Sequence, residues 1–182
     1  GAVPVFAVYS TFLQRSYDML IHDVALDGLH VVLGVDRAGL VGDDGETHQG
    51  LFDVAYLSTV PGITVLAPAS FSELRAMLRY AVLELDGPVA LRYPRGGENG
   101  YSGNQCGLPC SVLREGRDLT AICYGTMTGE VLSAAQRLAE EGVQVEVIKL
   151  NQLVPLVPEL ALQSVRKTRR LLVAEEVVVA GS

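Results

Sequence analysis

The feature that most constrains this chain is the alternation of short, nearly continuous apolar runs with segments of helical period. VPVFAVY (Val3–Tyr9), VVLGV (Val31–Val35), ITVLA (Ile63–Ala67) and VALRY (Val89–Tyr93) have strand length. Apolar on successive residues, such strands bury both faces, which calls for a mostly parallel sheet covered by helices. Between them Leu13, Tyr17, Leu20, Val24 and Ala25 recur at the spacing of one helix face, and Gly28 ends the element. Ser70 with Glu73 forms a capping-box pattern for a helix running to about Leu85, closed by Asp86-Gly87-Pro88.

The pattern breaks at Gly96–Pro109, GGENGYSGNQCGLP, which is rich in Gly, Asn and Pro and lacks periodicity, as a linker would. A second alternation follows. LTAICY (Leu119–Tyr124), VEVIKL (Val145–Leu150) and LLVAEE (Leu171–Glu176) read as strands, with helices expected over Thr128–Glu141 and near Pro158–Lys167. The expected fold class is α/β, with two three-layer α/β/α units whose sheets are mostly parallel. Residues 1–95 make the first unit, 96–110 a linker and 111–182 the second. Gly1 leads straight into an apolar run with no basic leader, and the pattern is unfinished at Ser182. Both units are therefore expected to be incomplete.

Composition narrows the function classes. Fourteen Lys and Arg against twenty-one Asp and Glu leave a net charge of −7, which disfavours non-specific binding to nucleic acid or anionic membranes. No apolar run approaches the roughly 20 residues that cross a bilayer. The three cysteines, Cys106, Cys110 and Cys123, are an odd number in a mid-sized chain. They point to a reducing, cytoplasmic compartment rather than a disulfide framework. Cys106 and Cys110 have no second pair to complete a metal site.

In open parallel sheets, ligands bind beyond the carboxyl ends of the strands. There the sequence is polar: Tyr9-Ser10-Thr11-Phe12 and Arg15 after the first run, Asp36-Arg37 and a long glycine-punctuated loop after the second, Arg95 after the fourth. Arg37 and Arg95 have two readings, a forked grip on one phosphate or ordinary surface pairing with acids. Gly42–Gly50, GDDGETHQG, sets Asp43, Asp44, Glu46 and His48 among three glycines. It reads as a ligand loop, a metal loop or a solvated acidic turn, although its acids lack EF-hand spacing. Phe12 either stacks on a flat heteroaromatic ligand or packs between strand and helix. His22 and His30 read as structural. Neither GxGxxG nor a Walker A pattern is present.

Together, YSTFLQRSYD (Tyr9–Asp18), DRAGLVGDDGETHQGLFD (Asp36–Asp53) and LRYPRG (Leu91–Gly96) resemble the 1-deoxy-D-xylulose-5-phosphate synthase family, and the likeness spans the whole chain. GDDGETHQG is similar to an element of transketolase proper; YSTFLQR, DRAG and YPRG point to the synthase branch and away from ketose transfer or 2-oxoacid dehydrogenase components. The resemblance implies a pyrimidine-binding domain followed by a transketolase C-terminal domain. It further implies a homodimeric enzyme that uses thiamine diphosphate and Mg2+ to decarboxylate pyruvate and join the two-carbon unit to D-glyceraldehyde 3-phosphate, a step of isoprenoid precursor synthesis.

By the same resemblance, Phe12 would stack on the aminopyrimidine, with Tyr9 and Arg15 beside the reactive carbon. Tyr9, Arg37 and Arg95 would hold the acceptor phosphate, Asp44 a substrate hydroxyl, and His48 would move a proton or orient the donor. The family's cofactor-activating glutamate lies just upstream of Gly1, and its N-terminal domain, which holds the diphosphate through the metal, is likewise absent. Asn151–Val157, NQLVPLV, stands where the family usually has an FVKPLD-like stretch. The polypeptide alone is expected to be inactive; a split-enzyme subunit or a non-catalytic binding module is the alternative.

Overall fold

A computed structural model describes residues 1–181. Four of the expected runs become parallel strands of one sheet: β1 (Val5–Tyr9), β2 (Val32–Asp36), β3 (Thr64–Leu66) and β4 (Val89–Arg92), in the spatial order β1-β2-β4-β3. Pairing Tyr9 with Asp36 and Val35 with Arg92 aligns their carboxyl ends on one edge.

Both faces of this sheet are covered, as the continuous apolar pattern requires. On one side Leu13, Leu33, Val35, Leu57 and Val65 share a core; on the other Val32, Leu66, Met77, Val89 and Leu91 share a second. Fully burying each such side chain contributes about 1.5–3 kcal/mol before the entropy of ordering the chain is counted.

The helical pattern after β1 is not one helix. It comprises α1 (Ser10–Leu13), a 3₁₀ turn (Gln14–Ser16), α2 (Tyr17–Met19) and a π-helical stretch (Leu20–Ala25). Ser16, at φ −101° and ψ 10°, leaves helical geometry and interrupts the hydrogen-bond ladder. The apolar face survives, for Leu13 and Leu20 are buried and Tyr17, Ile21 and Ala25 pack against the same core.

α3 (Asp53–Leu57) follows the glycine-rich loop, and α4 (Phe71–Leu83) starts where the capping box predicts. Ser70 Oγ accepts from the Glu73 N–H at 3.0 Å, but the Glu73 carboxylate reaches back one residue further, to the Ala69 N–H at 2.8 Å.

The second sheet has the order β5-β7-β6-β9, from β5 (Cys110–Arg114), β6 (Leu119–Cys123), β7 (Val145–Leu150) and β9 (Leu171–Ala174). β6, β7 and β9 run parallel, while β5 is antiparallel to β7. α5 (Met127–Glu140) and α6 (Glu159–Thr168) cover it. Between β7 and α6, β8 (Gln152–Val154) leaves this sheet and pairs antiparallel with β3, adding a fifth strand to the first sheet.

The stretch read as a linker is tied down at several points. The Glu98 carboxylate accepts from Phe71 N–H at 2.7 Å, Asn99 donates to Glu130 at 2.8 Å, and buried Tyr101 donates its hydroxyl to Glu73 at 3.1 Å. Among the described residues, no helix is long and apolar enough to cross a membrane.

Candidate functional site

Three parallel strands deliver the site. β1 ends on Tyr9 and hands the chain to Phe12; β2 ends on Asp36 and opens the loop; β4 leads through Tyr93-Pro94 to Arg95. The loop is closed at its base by reciprocal backbone bonds between Gly39 and Gly50, at 2.8 and 2.9 Å. Gln49 braces its interior: its side-chain oxygen accepts from Val41 N–H and its amide donates to the Gly45 carbonyl, each at 2.9 Å. Gly50 is required there, since a β-carbon would lie 2.1 Å from the Arg37 carbonyl oxygen.

Arg37 takes a left-handed φ of 58°, and the Asp36 carboxylate accepts its N–H at 2.7 Å. This turns the Arg37 guanidinium over the Tyr9 ring, 3.8 Å from the centroid, a cation–π contact. Tyr9 stacks on Phe12 with centroids 5.6 Å apart, and His48 meets the Phe12 ring edge-on at 5.2 Å. Arg15 sits 5.5 Å from the Phe12 centroid. His48 Nδ1 is hydrogen-bonded to Thr47 Oγ1 at 2.9 Å, and Thr11 donates to the Thr47 carbonyl at 3.2 Å.

Arg37 and Arg95 converge on one anion, and that anion is Asp44. Arg37 Nε donates to one carboxylate oxygen and Arg95 donates to the other at 2.6 Å. Asp44, expected to face a substrate hydroxyl, thus bridges two guanidiniums. That pairing holds its carboxyl below the usual range and raises Arg37 in turn; partial burial opposes both shifts. Two guanidiniums set side by side in this way can hold one oxyanion in charge-assisted bonds, as they hold the Asp44 carboxylate here. All seven residues singled out from the sequence, Tyr9, Phe12, Arg15, Arg37, Asp44, His48 and Arg95, lie on this edge. His22 instead pairs with Asp18 at 3.0 Å, and His30 bonds the Ala81 carbonyl at 2.8 Å.

Sequence reasoning missed the supports beneath the loop. Arg92 pairs with Asp53 at 3.0 Å, both buried, and lies 5.3 Å from the Tyr124 ring centroid. Tyr124 donates to Glu175 at 2.8 Å, and Val178 N–H bonds the Leu51 carbonyl at 3.0 Å. The two glutamates that close LLVAEE, read as the end of a strand, lie beyond β9, and Glu176 comes up against Gly39 of the first sheet's loop.

The fold and the site together define two α/β units, with a loop of aromatic and paired cationic groups at the carboxyl edge of the first. The family described as transketolase, pyrimidine binding domain matches residues 1–98, and that described as transketolase, C-terminal domain matches 109–182; the chain belongs to the transketolase family. It is 45% identical over its whole length to the 1-deoxy-D-xylulose-5-phosphate synthase of Chlorobaculum tepidum, covering 29% of that protein. To the synthase of Symbiobacterium thermophilum it is 47% identical, covering 28%. The chain thus spans less than a third of the length of these relatives. Among solved structures, a split-gene transketolase described as an inactive β4 tetramer matches at TM-score 0.88 and 30% identity, over 99% of this chain and 60% of that one. A Pichia stipitis transketolase shares the fold at TM-score 0.81 and 18% identity, over 97% of this chain and 27% of that one.

Proposed function

We propose that residues 1–182 supply the pyrimidine-binding and acceptor-binding side of a thiamine-diphosphate-dependent 1-deoxy-D-xylulose-5-phosphate synthase, which joins pyruvate, with loss of CO2, to D-glyceraldehyde 3-phosphate. The observation that carries the reading is the convergence of Arg37 and Arg95 on one carboxylate beside the Tyr9–Phe12–His48 ring cluster. Synthase relatives at 45% identity along the whole chain support it.

The residues present fit the cofactor's flat ring. Phe12 is about one-third exposed (36%) at the ligand edge, so it offers an aromatic face for stacking. Bound there, thiamine diphosphate supplies the carbanion chemistry. Tyr9 and Arg15 flank the Phe12 ring; His48 would move a proton or orient the donor, and Arg37 and Arg95 would take the acceptor phosphate. Phosphate displacing Asp44 frees that carboxylate for an acceptor hydroxyl. The Mg2+ and diphosphate contacts belong to a diphosphate-binding domain outside these 182 residues, and residues 1–182 by themselves are expected to lack turnover. A cytoplasmic homodimer is the setting the family resemblance implies, and the three free cysteines suit it.

The test uses a protein that joins these residues to the diphosphate-binding domain. Arg95→Ala removes a charge-assisted bond worth about 1.5–3 kcal/mol, so the KM for D-glyceraldehyde 3-phosphate is expected to rise roughly tenfold to a hundredfold. The pyruvate KM should hold. An unchanged acceptor KM sinks the phosphate assignment.

A second reading, a subunit of a split enzyme, is favoured by the likeness to the split-gene transketolase. The same assay distinguishes it: turnover that appears only on mixing with a separate diphosphate-binding polypeptide supports a split enzyme.

A further inference from the structure

The segment after β9 does more than connect. Three of its residues, Glu176, Val177 and Val178, meet the first unit. Val177 packs against the core that holds Leu13 and Leu57. Val178 N–H bonds the Leu51 carbonyl at 3.0 Å, just past the loop's closing glycine. Glu176 comes up against Gly39 at the loop's opening, so close that a β-carbon at position 39 would stand 2.5 Å from Glu176 Oε2. The same carboxylate oxygen is held from behind by Thr126 Oγ1 at 2.5 Å, and its neighbour Glu175 is held by Tyr124 at 2.8 Å. Thr126 and Tyr124 belong to the turn between β6 and α5. The second unit therefore presses a fixed carboxylate against the point where the acceptor loop begins.

We propose that Glu176, anchored by Thr126, is a positioning residue for the acceptor loop, setting the base from which Arg37 and Asp44 project. Gly39 takes φ +83°, a backbone region open mainly to glycine, and its N–H and carbonyl both bond Gly50. With the strut removed, the Gly39–Gly50 bridge loses its outer support. The loop then samples open forms in which the Arg37 and Arg95 guanidiniums no longer converge. Glu176 touches neither ring nor guanidinium among its contacts; it acts through the backbone. The proposal rests on the reading that this arginine pair grips phosphate.

Hydrogen exchange on the 182-residue protein tests it directly. In Glu176→Ala, the bonded amides of Gly39, Val41 and Gly50 should exchange about tenfold faster or more, while amides of α4 keep their rates. Glu176→Gln, whose amide oxygen still accepts from Thr126, should restore near-wild-type protection, and Thr126→Val should reproduce the loss. Unchanged loop exchange in Glu176→Ala overturns the proposal. So does an equal rise in α4, which would mark a general loss of stability. Inorganic phosphate is then titrated against the same variants, followed by the side-chain N–H signals of Arg37 and Arg95. Glu176→Ala should weaken its binding severalfold. If Arg95→Ala leaves phosphate binding unchanged, the phosphate reading falls by itself, and the exchange data still decide the strut.

Discussion

Asp44 shows how one residue can carry the electrostatics of the whole site. Two guanidiniums share its carboxylate, with Arg37 the stronger influence and Arg95 and His48 adding to it, so its folded-state pKa is depressed. A depressed carboxyl contributes stability that is present above its unfolded-state pKa and is lost as pH falls through the folded value. The loop should therefore loosen only in acid, below the ordinary carboxylate range. Carboxyl NMR on the protein should find the Asp44 midpoint below that of an unstructured aspartate, and Arg37→Gln should move it upward. A midpoint indifferent to the substitution would remove Arg37 as the cause. The position of these residues was legible in the sequence because strand ends in a parallel sheet share an edge, which placed Tyr9, Arg37 and Arg95 together. Asp44's partners were not, since the spacing of acids in a glycine-rich loop does not say which of them folds back onto an arginine. Glu176 was hidden for a different reason: its contact with Gly39 joins distant parts of the chain through tertiary packing alone.

At the scale of elements, the four strands of the first unit and the long helices α4 and α5 follow from apolar runs and caps, which are local signals. The irregular helix after β1 does not, because its apolar spacing is kept while the bond ladder shifts through 3₁₀ and π turns. β5, an edge strand antiparallel to β7, was missed because CSVLR is not a continuous apolar run, and β8 because it has three residues. QLV between Asn151 and Pro155 becomes a strand only by pairing with β3. The loop that opens at Asp36 behaves as an element too, closed by one glycine pair. Gly50→Ala puts a methyl against the Arg37 carbonyl at 2.1 Å and the Ala38 Cα at 2.9 Å, both backbone atoms. Overpacking of this kind costs about 1–3 kcal/mol. Urea unfolding should register that loss, whereas Gly42→Ala, which meets no neighbouring atom within 4 Å, carries only the strain of its φ of +54°. Equal losses at the two positions would refute the steric account of Gly50.

In the whole molecule the two units are joined through their interiors. β8 extends the first sheet, Arg92 faces Tyr124, and Glu73 of α4 accepts from Lys149 of β7 at 3.0 Å with both side chains fully buried. Glu73 also takes bonds from Ala69 N–H, the Tyr101 hydroxyl and Gln105 N–H, while Lys149 donates to Asn151. Burial pulls the Lys149 ammonium below its ordinary range, and Glu73 opposes that shift. Removing one member of a buried pair leaves the other charge uncompensated, which costs about 3–5 kcal/mol. Lys149→Met keeps the bulk and deletes the charge, so it isolates this term. Because the pair belongs to both units, its loss should lower them together. Denaturation followed by circular dichroism should remain a single transition with a reduced midpoint, and amides in α4 and β7 should lose protection in parallel. If β7 alone becomes labile while α4 keeps its protection, Glu73 and Lys149 do not couple the units, and the loop that opens at Asp36 would have to draw its support from the segment after β9 without help from the interior.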